Sequence, residues 1–176
     1  TAASTTDRRS IGWSDNATPI GGTALSRFLG RFDGLPGGVE TGKSFALPAG
    51  ATVASVAFDF YEIDSWDGDV GDAFKVVING VEILSEDFYH ALRAGLDGKD
   101  PARSGTIGDI SWTITPTSSG VTDLGFDTEW YQTDQIHRVT ILVKNPGENL
   151  TVGFAAHLDN GLGDESFGID NLTITA

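Results

Sequence analysis

Residues 51–63 carry the clearest pattern in the chain. Val53, Ser55, Ala57, Asp59, Tyr61 and Ile63 fall on one side of an extended segment, and Ala54, Val56, Phe58, Phe60 and Glu62 on the other. Mostly apolar residues on both sides predict a strand at the centre of a sandwich. Val139, Ile141 and Val143 alternate with Thr140 and Leu142 in the same way, which predicts a strand over 136–144. Strands are also expected over 39–47, 109–115, 150–158 and 167–175. In 24–32, Phe28 and Phe32 should share one face, with Arg27 and Arg31 on the other.

Turn chemistry sets the boundaries. Lys75-Val-Val-Ile78 and Val81-Glu-Ile-Leu84 flank Asn79-Gly80, and Asn-Gly between apolar runs predicts a hairpin because its turn needs φ > 0 twice. Pro48-Ala-Gly50 and Asn145-Pro-Gly147 mark further turns. Ser85, followed by Glu86 and Asp87 and closed by Gly95, has the order of a capped helix over 85–95. Residues 96–108 read as loop, and 1–22, polar and rich in small side chains, as an extended lead-in to one domain over 23–176. Eight or more short strands, one short helix and no strand–helix alternation predict an all-β fold. The expected architecture is a two-sheet antiparallel sandwich, jelly-roll or concanavalin-like.

Length and composition narrow the function. A chain of 176 residues fits one core of ordinary size. Its net charge of −14 argues against nucleic acid, whose phosphates need Lys and Arg, and against anionic lipid. The absence of cysteine excludes disulfides, thiol catalysis and thiolate metal sites. No apolar run approaches the roughly 20 residues of a membrane helix. The chain also lacks methionine, which suggests a processed or excised product.

The acid is concentrated. Glu62, Asp64, Asp67, Asp69 and Asp72 place five carboxylates in eleven residues, and Asp159, Asp164, Glu165 and Asp170 place four in twelve. Such groups repel unless a cation lies among them, although a solvated acidic loop is the plainer alternative. Calcium takes 6–8 oxygen ligands and suits Asp67-Gly-Asp-Val-Gly-Asp72, which lacks the longer spacing of an EF-hand. The expected ligands are Asp64, Asp67, Asp69 and Asp72, with Asp164 and Asp170 reaching the ion from the second cluster. Asp170 lies inside a strand pattern and needs a partner, either the metal or an arginine such as Arg27 or Arg31.

Four stretches carry a resemblance. Phe28-Leu-Gly-Arg-Phe32, Phe58-Asp-Phe-Tyr-Glu-Ile-Asp-Ser-Trp-Asp-Gly68, Phe74-Lys-Val-Val-Ile-Asn-Gly80 and Asp164-Glu-Ser-Phe-Gly-Ile-Asp-Asn-Leu172 resemble a family of bacterial exported domains. These occur in large calcium-dependent adhesins and in hemolysin-type repeat proteins. The resemblance implies an extracellular or cell-surface, lectin-like sandwich with calcium. Separately, Glu62-Ile-Asp-Ser-Trp-Asp67 is similar to the Glu-x-Asp-x-x-Glu signature of retaining β-glucanases. That resemblance would make Glu62 the nucleophile and Asp67 the acid/base. Asp67 is one methylene short for that role, and more acids follow it.

The three histidines stand in no zinc spacing, and no Ser lies in a Gly-x-Ser-x-Gly elbow. Trp66, Glu129, Trp130 and Tyr131 lie in acidic, turn-rich sequence and could form a sugar-binding rim, rings packing on C–H faces and carboxylates taking hydroxyls. Trp112, inside a strand pattern, reads as core. The expected function is a non-catalytic, calcium-binding recognition or adhesion module for a glycan or cell-surface polysaccharide. The alternative is a structural subunit that self-associates through calcium.

Overall fold

The computed structural model describes residues 28–34, 41–66, 71–89, 101–117, 126 and 134–176, together with the backbone of 4–7. Eleven strands lie among them: β1 (Ser4–Asp7), β2 (Leu29–Phe32), β3 (Thr41–Ala46), β4 (Val53–Asp64), β5 (Ala73–Ile78), β6 (Val81–Asp87), β7 (Arg103–Ile107), β8 (Ile110–Pro116), β9 (Gln135–Lys144), β10 (Asn149–His157) and β11 (Glu165–Thr175). They form two antiparallel sheets, as the alternation predicts. The larger runs β1-β11-β4-β9-β8-β7, with β2 also paired to β11, and the smaller runs β3-β10-β5-β6.

β4 is central, between β9 and β11, and its even-numbered residues build the space between the sheets. Phe58 and Phe60 from this face meet Phe74 and Phe154 of the smaller sheet, Phe60 and Phe74 stacked with centroids 4.0 Å apart. Trp112, Ile114, Val139, Ile141 and Phe167 complete the same core. Aromatic pairs of this kind add about 0.5–1.5 kcal/mol each beyond the area they bury. A second apolar cluster of Phe28, Tyr61 and Ile63 covers the outer side of β4. That second layer explains why β4 is apolar on both faces.

Three expectations are corrected. Phe28 and Phe32 lie on opposite faces, Phe28 against Tyr61 and Phe32 against Phe167. The cause is a bulge: Phe32 pairs with Phe167 and Gly30 with Gly168, so Arg31 is an extra residue that reverses the alternation. Ser85–Asp87, the expected start of a helix, continue β6 in register with β5, while 90–95 lie outside the described residues. Residues 103–107, read as loop, are an edge strand whose polar side chains give no apolar period. In the lead-in, Ser4–Asp7 pair along the outer edge of β11.

Candidate metal centre

Alternation brings one end of the core into contact with water-seeking groups. Asp72 precedes β5 and continues the inward series of Phe74, Val76 and Ile78. Glu165 opens β11 and continues the inward series of Phe167 and Ile169. One carboxylate therefore comes from each sheet. Asp159 joins them from the segment that carries the chain from β10 to β11. An oxygen from each of the three lies within 4.8 Å of the others, and Asp72 and Glu165 are buried.

Local hydrogen bonds hold the group together. Asp159 N–H donates to Asp72 Oδ1 at 3.3 Å. Asn160 donates its N–H to Glu165 Oε2 at 3.2 Å and its Nδ2 to Asp159 Oδ1 at 2.6 Å. Gly161 O accepts the N–H groups of Asp164 and Glu165, closing a turn over the cluster. Burial, and after it the charge of Asp72, pushes the Glu165 carboxyl up to about 8, and the bonds from Asn160 only partly oppose this. A cation among the three would reverse that cost, and the donors are hard oxygens of the kind calcium selects. The residues present therefore fit such an ion.

Among the described residues, the expected ligands Asp64, Asp164 and Asp170 have other partners. Asp64 is buried and ion-paired with Arg31, Nη2 to Oδ2 at 2.7 Å. Its positive φ of 67° takes the side chain out of the strand's alternation. Its backbone N–H donates to Asp134. Asp164 accepts a hydrogen bond from Ser65 Oγ at 2.8 Å. Asp170 points to the outer face, where Tyr61 O–H donates to it at 3.1 Å, while Arg31 is taken by Asp64. Burial and the neighbouring Asp170 push the Tyr61 hydroxyl above its ordinary value. Asn171, with φ of 52°, forms a bulge there and donates to Asp59, which also meets Arg138 at 2.9 Å. Asp67 and Asp69 lie outside the described residues, as do Glu129, Trp130 and Tyr131.

Trp66 is corrected from rim to core. It is fully buried among Phe60 and Phe88, and its Nε1 donates to Ser166 O at 3.0 Å, so no ring face is offered to a ligand. Glu62 is fully buried too, its Oε2 2.7 Å from His137 Nε2, and it faces the core rather than a cleft.

The sequence places Asp159 and Glu165 in the second acidic cluster and singles out neither as a ligand. The signal for Glu165 was present: Glu165, Phe167 and Ile169 share one face of a strand, which directs the acid inward, whereas Asp164 is one residue out of phase. Asp159 left no such signal, since only the fold of its turn places it. No protein-family model matches the chain, and no curated protein or solved structure matches it.

Proposed function

We propose that this chain is a calcium-stabilised β-sandwich that serves recognition or adhesion outside the cell, with a glycan as its ligand. The observation that carries the calcium is the convergence of Asp72, Asp159 and Glu165 from both sheets and the segment joining them. An ion held there would tie the sheets together at one end. The net charge of −14 agrees with a protein that works with divalent cations and neutral ligands rather than phosphates. The burial of Glu62 speaks against its serving as a glycosidase nucleophile. Calcium-driven self-association is the second reading, and the same charge favours it, since a cation would screen the repulsion between copies.

Calcium at a hundredfold over its Kd adds about 2.7 kcal/mol to the folded state, which for a domain of this size raises the melting temperature by about 5–10 °C. The expected outcome is that rise on adding calcium to chelated protein, with a smaller rise for magnesium, which keeps its waters. Asp72→Asn should blunt it, and Asp109→Asn, in the β7–β8 turn, should not. A melting curve indifferent to millimolar calcium rejects the metal reading. A glycan array and light scattering, each with and without calcium, then separate recognition from assembly.

A further inference from the structure

Asn-Gly occurs twice in the sequence, as Asn79-Gly80 and as Asn160-Gly161. Asparagine is a labile residue, most of all before glycine, which has no Cβ to keep its nitrogen away from the asparagine side chain. The fold treats the two pairs differently. Asn79 and Gly80 form the β5–β6 turn, locked between the paired residues Ile78 and Val81. Asn79 N–H donates to Thr151 O at 2.9 Å, and Asn79 Oδ1 accepts the Thr151 N–H at 2.8 Å. Those bonds hold the side chain against β10.

Asn160 and Gly161 are exposed and lie between β10 and β11, outside either ladder. Gly161 accepts two N–H groups at its carbonyl, but its own N–H donates to none of the described residues. The Asn160 side chain is held only through Nδ2, which donates to Asp159 Oδ1 at 2.6 Å and to Glu165 Oε1 at 3.4 Å. A nitrogen free to react therefore follows an amide that stands beside the carboxylates of the candidate metal centre.

We propose that Asn160-Gly161 is a spontaneous modification site, whose deamidation adds a carboxylate to the cluster of Asp159 and Glu165 and supplies it with a further calcium ligand. Gly161 N loses its proton to base and attacks Asn160 Cγ. The new N–Cγ bond closes a succinimide ring, the bond from Cγ to Nδ2 breaks, and ammonia leaves. Water then opens the ring at either carbonyl. Both openings leave a carboxylate, on an aspartate or on an isoaspartate whose main chain runs through Cγ. The balance is amide plus water to acid plus ammonia. A donor to Asp159 and Glu165 is thereby exchanged for a negative charge, which repels them unless a cation lies among the three. The ligand role rests on the calcium reading above, whereas the modification does not.

Peptide mapping by mass spectrometry after incubation at pH 8 in chelator tests the chemistry. In the folded protein, aspartate and isoaspartate should accumulate at 160 while Asn79 keeps its amide. In urea both pairs should convert. Gly161→Ala should slow the reaction without disturbing the turn, since an added Cβ meets nothing within 4 Å. An Asn160 that outlasts Asn79 in the folded protein, or a rate that Gly161→Ala leaves unchanged, overturns the proposal. Asn160→Asp then tests the consequence. Its melting temperature in chelator should lie below that of the wild type, and calcium should raise it by more. A response to calcium no larger than the wild type's overturns the ligand role. If neither protein responds, the metal reading fails together with the ligand role, and the peptide map still decides the modification.

Discussion

Glu165 faces two demands that only a cation or a proton can reconcile. Its backbone belongs to β11, and the alternation of that strand drives its side chain into a space shared with Asp72. Without metal the carboxyl holds a proton up to about pH 8, against 4.5 for an ordinary glutamate. Because the folded value is the higher, the corresponding stability is complete below about pH 4.5 and is lost as the pH climbs toward 8. In chelator, the melting temperature should therefore fall as the pH rises from about 5 toward 8, and Glu165→Gln should flatten that decline. Saturating calcium should flatten it as well, by displacing the proton. Equal slopes for wild type and variant would remove Glu165 from the account. The carboxylates were legible in the sequence as clusters, but their partners were not. Neighbours such as Asp164 and Glu165 point in different directions, and the Arg31–Asp64 pair arises from a bulge and a left-handed backbone that no spacing rule contains.

Elements were legible where packing and turn chemistry agreed. β4, β5 and β9 each bury a regular face, and Asn79 and Gly80 take the positive φ values that the β5–β6 hairpin requires. β7 escaped because an edge strand facing solvent has no reason to alternate, and its identity comes from pairing with β8. Ser85–Asp87 show the converse case, in which helix-capping side chains are overridden by a ladder already running from the hairpin. β2 is legible as a strand, but its faces are not, because the extra residue at Arg31 reverses the alternation. That bulge lays the Phe28 ring across Gly168, where an added Cβ would come within 2.4 Å of the ring. Gly168→Ala must push Phe28 away from Tyr61 and should destabilise the domain by about 1–3 kcal/mol, measurable by denaturant unfolding. Phe28→Ala in the same chain should recover part of that loss, because it removes the clash. A full additive loss would mean that the ring and the glycine do not interact.

At the scale of the whole molecule, the order of strands fixes where the two ends of the described chain meet. Ser4 lies opposite Thr175, and Asp7 opposite Leu172, so β1 enters at the same end of the sheet from which β11 leaves. The proposed adhesion role would load the domain through these ends. Tension applied there would not slide β1 along β11, which would strain every rung of the ladder together. It would open the ladder like a zipper, one rung at a time, beginning at Ser4 and Thr175. In single-molecule pulling, β1 should detach at low force before the sandwich yields. The same protein pulled through a residue in the β10–β11 segment and one in the β5–β6 turn should resist far more strongly, and still more with calcium present. A first rupture at equal force along both axes would rule out unzipping. The domain would then be anisotropic: soft along the axis through β1 and the end of β11, and stiff across the end where its carboxylates converge.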